Sequence, residues 1–112
     1  MNNNWVNEFP CAITVCNTKG EIVYFNEKSA VTFEKYGGKE MLGKSLFDCH
    51  GQQSSDKIRE MLQSNELNAY TIEKNGVKKL IYQSPWYENG EYAGIVELSL
   101  VIPFEMPHFI RT

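Results

Sequence analysis

Three things are scarce in this chain: cysteine pairs, basic clusters and long apolar runs. The cysteines, Cys11, Cys16 and Cys49, are odd in number and show no paired spacing, which argues against a disulfide framework and for a reducing, cytoplasmic setting. Only His50 and His108 could join them around a metal, and their spacing is not that of a structural zinc site. No stretch approaches the roughly 18 consecutive apolar residues that span a bilayer, and Met1-Asn2-Asn3-Asn4-Trp5 lacks the charged-then-apolar order of a leader. A membrane partner is therefore not expected. Lys and Arg number 11 against 14 Asp and Glu, for a net charge of -3, and only Lys78 and Lys79 adjoin. A surface that tracks phosphates is absent, and nucleic acid is not an expected partner. Nucleophile elbows, phosphate-binding glycine loops and H-E-x-x-H helices are missing too, so no enzymatic function is expected. Acidic residues such as Glu8, Glu27 and Glu34 read as solvated surface.

What is present is enough apolar material for one core: 42% of 112 residues are hydrophobic and no segment has the composition of a disordered tract. Residues 1–8 read as an N-terminal cap, and Pro10 discourages helix just before it. The β-branched run Cys11–Cys16, the turn Asn17-Thr18-Lys19-Gly20 and the run Glu21–Phe25 form two strands joined by a tight loop. Asn26 suits a helix N-cap, with Gly37-Gly38 as the stop. Lys39–Phe47 reads as a helical turn and a loop. Ser54, Ser55 or Asp56 then caps a helix carrying Ile58, Met61 and Leu62 at helical spacing, ending near Asn65. From Tyr70 the period becomes two. Asn75-Gly76 is a strong hairpin signal, the returning strand runs to Pro85, and Glu88-Asn89-Gly90-Glu91 turns into a long strand ending at Ile102. Pro103 and Pro107 prevent a continuous helix in the tail 103–112.

Three stretches in this order resemble the PAS domain family over residues 9–102. Phe9–Val15 followed by Lys19–Asn26 is similar to its opening hairpin, Leu42-Gly43-Lys44-Ser45-Leu46-Phe47-Asp48 to the segment before its long helix, and Glu88–Gly94 to the loop that opens its last strand. The resemblance implies an α+β fold in which a five-stranded antiparallel sheet carries several short helices on one face. It also implies a stand-alone sensory domain that binds a small ligand in an apolar cavity and signals by a conformational change or a dimer rearrangement. A protein-interaction module whose cavity is filled by its own side chains, chiefly Phe33, Tyr36, Met61 and Leu62, is a second reading.

Under the resemblance, the expected cavity residues are Phe33, Tyr36, Cys49, His50, Met61, Thr71, Ile81, Gln83 and Val96. Cys49 and Gln53 keep the spacing of the flavin-reactive motif of the light-sensing LOV branch. However, Asp48 and His50 stand where that branch has Asn and Arg, and Thr71, Lys79 and Val96 stand where it has flavin-reading amides. Flavin is thus disfavoured, because polar atoms of the ring would go unpaired at about 1–3 kcal/mol each. His50 is a candidate haem ligand, haem-sensing PAS domains using a His near the long helix; His108 is a weaker one. No cofactor is assigned. In the family's register Ile81 and Gln83 face the cavity, while Leu80, Tyr82 and Trp86 form an apolar stripe on the opposite face. A homodimer through that stripe and the Trp5 segment is the expected partner arrangement.

Overall fold

A computed structural model of the chain describes residues 4–32 and 52–112, with side chains of the second helix described from Ile58 onward. A short 3-10 turn, Asn4–Val6, leads into strands β1 (Ala12–Cys16) and β2 (Ile22–Phe25) and helix α1 (Glu27–Thr32). Helix α2 (Gln52–Ser64) is followed by β3 (Asn68–Lys74), β4 (Val77–Glu88) and β5 (Glu91–Ile102). The five strands make one sheet in the order β2-β1-β5-β4-β3, and every neighbouring pair is antiparallel. The first hairpin therefore lies beside the last strand of the meander, as expected. Among the described residues, no helix is long and apolar enough to cross a membrane.

The turns have plain local causes. Asn75 and Gly76 both have positive φ, 54° and 76°, which is what the two central residues of a type I′ hairpin require. Asn89 and Gly90 repeat this at 53° and 82°. In the first hairpin, Asn17 turns its Oδ1 to the backbone N–H groups of Lys19 and Glu21, each at 3.0 Å. Helix α2 ends where Asn65 takes a left-handed φ of 59°.

One side chain joins four segments. Asn26, 1% exposed, accepts with Oδ1 from the backbone N–H of Ser29 (3.1 Å), which caps α1, and from that of Ile13 (3.0 Å), which fastens the cap to β1. Its Nδ2 donates to the carbonyls of Cys11 (2.7 Å) and Val6 (3.0 Å), and the Glu27 N–H donates to the Asn7 carbonyl at 3.0 Å. The N-terminal turn is in this way tied to the start of α1, with Trp5 packed edge-on against Phe9.

The core lies between α2 and one face of the sheet. Cys16, Ile22, Ile58, Met61 and Ile95 are buried together, and Phe25 and Leu62 pack against them. On the other face, Leu80, Tyr82, Leu98 and Leu100 are half-buried. The register across β4 and β5 slips once. Trp86 pairs with Gly94 but Tyr87 with Tyr92, which leaves Ala93 as the extra residue of a bulge. The Trp86 indole N–H donates to the Cys16 carbonyl at 3.0 Å, spanning β5 at Gly94. A Cβ on Gly94, whose φ is +140°, would collide with that same carbonyl.

Several expectations change. β4 continues past Pro85 to Glu88: β3 pairs with β4 only as far as Gln83, and Pro85 lies where β4 has β5 alone beside it among the described strands. Helix α2 starts at Gln52, ahead of the Ser54–Asp56 positions; its polar first turn carries no apolar period to mark it. Trp86 stands on the outer face with Leu80 and Tyr82, and its indole N–H is committed to β1. The expected Lys39–Phe47 turn lies outside the described residues.

Replacing Asn26 by Asp keeps the Oδ1 acceptors but turns a carboxylate toward the Val6 and Cys11 carbonyls. Urea denaturation should show a loss of about 2–4 kcal/mol, and an unchanged midpoint would contradict the role given to the amide. Gly94→Ala should cost more than about 2 kcal/mol by the same measurement, since the colliding atoms are backbone and cannot step aside as a flexible side chain would.

Candidate functional site

Paired residues on neighbouring strands share a face, so the register orders the inner face of the sheet into transverse rows. One row runs Phe25, Thr14, Glu97, Gln83, Asn68 across all five strands. On one side of it lies Ile22, Cys16, Ile95, Pro85, and on the other Ala12, Ser99, Ile81, Tyr70. The first flanking row is part of the core. The middle row is polar at four of its five positions, within a wall that is otherwise mainly apolar.

The polar row is hydrogen-bonded in one direction. Asn68 donates from Nδ2 to Gln83 Oε1 at 2.8 Å, and Gln83 donates from Nε2 to Glu97 Oε2 at 2.6 Å. Gln83 is 6% exposed and Thr14 4%. The Thr14 hydroxyl pairs with the Ser29 hydroxyl, which joins the row to α1. Burying such groups costs free energy unless each is paired, and the ladder supplies the pairing for Gln83.

Electrostatics follow from this geometry. Burial raises the Cys16 thiol above its ordinary value of 9.0, and the charge of Glu97 adds to the effect. Burial and Glu97, in that order, also raise the Tyr70 phenol. The Tyr92 hydroxyl is buried without a hydrogen-bond partner, and its phenol is raised by burial first, then by Cys16 and Tyr87. Among the described residues, no group of three His, Cys, Asp or Glu side chains could hold a metal ion. A surface groove of about 700 Å³ lined by Asn4, Val6, Asn7, Glu8 and Tyr24 lies at the N-terminal turn, away from this row.

The structure brings together only part of the expected site. Ile81 and Gln83 face inward, both buried. Met61 is sealed in the core at 2% exposure. Thr71 and Val96 are corrections. Thr71 pairs with Leu80, and Val96 with Ser84 and Val15, so both stand on the outer face, opposite Gln83 and Glu97. Phe33, Tyr36, Cys49 and His50 lie outside the described residues. Asn68, Glu97, Thr14 and Tyr70 join this face in addition to the residues expected from the sequence. The available signal was the period-two polarity of Glu97 and Ser99 within the apolar run 95–102.

A family model described as PAS domain matches residues 10–97. The chain belongs to the PAS domain family. No curated protein matches it. The PAS domain of an HTR-like protein from Haloarcula marismortui superposes with a TM-score of 0.62 at 16% identity, covering 88% of this chain and 87% of that one. The Aer2 receptor of Vibrio cholerae, described as a dual PAS-haem oxygen sensor, gives 0.61 at 13% identity, covering 83% and 95%. The VqmA dimer of Vibrio cholerae, a LuxR-type receptor, gives 0.71 at 11% identity, and the match covers 90% of this chain but 51% of that protein. At such identities the likeness is one of fold. The PAS fold explains why the polar row lies on the sheet face that the helices cover.

A raised thiol is a statement about stability. The folded PAS domain holds the Cys11 and Cys16 protons more tightly than the unfolded chain does, so their contribution is complete below pH 9 and fades as pH rises through the higher folded values. Urea midpoints should therefore fall above pH 9. At pH 8.5 iodoacetamide should leave Cys16 unmodified in the native protein and alkylate it in urea, read by peptide mass mapping; native labelling at the rate of a free thiol would contradict its burial.

Proposed function

We propose that this PAS domain is a sensory module that binds a small ligand against the inner face of its sheet, with Gln83 and Glu97 as the polar contacts and Ile81 as apolar wall. The observation that carries the reading is the polar row itself. Four adjacent polar side chains in the middle of a sheet face add nothing to apolar packing, and an all-apolar row would stabilise the domain more. A row of this kind, flanked by apolar rows, has the composition of a ligand pocket: mostly apolar, with a few convergent polar groups. Occupancy would be felt at α1 through the Thr14–Ser29 contact and at α2 through the core around Cys16 and Met61.

The outer face supports a second feature of the same reading, a homodimer. Ile13, Val15, Leu80, Tyr82, Leu98 and Leu100 stand on that face without a charged side chain among them. A contiguous patch of this kind suits a self-complementary interface. VqmA, the neighbour with the TM-score of 0.71, is itself a dimer. Haem is carried by the Aer2 neighbour; here His50, the sequence candidate for the iron ligand, lies outside the described residues, and the reading assigns no iron.

Native mass spectrometry of the protein purified from cells tests the ligand. The expected result is a retained small-molecule mass in the wild type that is lost in Gln83→Leu. A bare chain mass in both would favour the interaction module with a self-filled cavity, and a Soret band in the absorption spectrum would replace this reading by the haem one.

A further inference from the structure

The hydrogen bonds of the polar row all run toward one carboxylate. A carboxylate only accepts, so Gln83 must turn its amide N–H₂ toward Glu97 and its carbonyl toward β3; Asn68 must then turn its own N–H₂ toward Gln83. The two amides are thereby oriented by Glu97, and one Glu97 oxygen, Oε1, is left outside the ladder. The carboxylate is the only formal charge in the row. Its cross-strand neighbour Thr14 is engaged with Ser29.

Among the described residues, no cationic side chain shares this row. The inner-face cations on the sheet are Lys79, which pairs with Ile72 and Val101 two rows away, four residues or about 13 Å along β4, and Lys74, which pairs with Val77 one row further still. Ile95 and Cys16 flank the carboxylate in one row and Ser99 and Ile81 in the other, so its surround on the sheet is mainly apolar. That field is felt by the side chains in both flanking rows, Cys16 and Tyr70. An anion would be repelled from this wall, and a neutral acceptor would face a group that cannot donate.

We propose that the inner face takes a small organic cation, an ammonium or amidinium group on Glu97 with its apolar body against Ile81 and Tyr70. This rests on the inner-face reading given above. The amidinium is the better fit, because its planar N–H donors match a carboxylate while its body remains flat enough to lie on the sheet. Glu97 is then the residue that sets specificity, and Gln83 and Asn68 hold its carboxylate in place.

Three isosteric probes separate the claims: benzamidine, benzamide and benzoate, titrated by calorimetry into the full chain. Benzamidine should bind at least tenfold more tightly than benzamide, as expected for a charge-assisted bond in a partly buried site, and benzoate should not bind. Glu97→Gln, which can still accept from Gln83, should bring benzamidine to the level of benzamide and leave benzamide unchanged. Equal binding of benzoate and benzamidine, or an unchanged preference in Glu97→Gln, would overturn the cation assignment. If all three probes bind alike and Gln83→Leu abolishes each, the inner-face reading stands and only the charge assignment falls. If none binds the wild type, both fall together.

Discussion

The N-terminal turn, β1 and α1 are joined through the Asn26 side chain. One amide group caps α1, ties that cap to β1 and holds the carbonyls of Cys11 and Val6. These are backbone groups of three segments that would otherwise meet at a buried junction with their polar atoms unpaired, at a cost of about 1–3 kcal/mol each. Only an amide serves, because the junction presents N–H groups on one side and carbonyls on the other. Ser29, the residue whose N–H is capped, also carries the hydroxyl that meets Thr14. The junction and the polar row thus share α1.

The inner face shows two kinds of order at adjacent positions. The row through Ile22, Cys16 and Ile95 is packed against Ile58 and Met61 and is core in the ordinary sense. The next row, one side-chain period along each strand, is polar from Thr14 to Asn68 and hydrogen-bonded from Asn68 through Gln83 to Glu97. Because each strand contributes one residue to each row, a single change in register would exchange these rows for outer-face residues throughout a strand. The bulge at Ala93 sits beyond Ile95, toward the turn, and leaves the rows intact while it re-aims Tyr92. Trp86, reaching across Gly94 to the Cys16 carbonyl, closes β4 onto β1 at that end.

How far the sequence announces this structure depends on the range of the interaction concerned. Asn75-Gly76 is legible because both residues must have positive φ, a demand that two adjacent positions satisfy by themselves. The N-cap at Asn26 is legible for the same reason; its bonds to Val6 and Cys11 are not, since they depend on where distant segments arrive. Ile81 and Gln83 follow from the alternation after the hairpin. Val96 misleads because β5 carries branched aliphatics on both faces, Ile95 inward and Val96 outward, so hydrophobicity does not mark its direction. Thr71 misleads because β3 is largely exposed, and neither of its faces stands out by composition. Asn68 and Glu97 each look like ordinary surface residues, and only the pairing of three strands brings them to Gln83. Phe33, Tyr36, Cys49 and His50 lie outside the described residues.

Pro85 has one more effect. Beyond Gln83, β4 runs on without β3 at its side, so among the described residues its last residues form an edge of the sheet, the kind of margin that invites a strand from another molecule. A proline at that margin offers no N–H for an incoming chain to bond. The overhang that lets Trp86 reach β1 is by this means guarded against edge-to-edge aggregation.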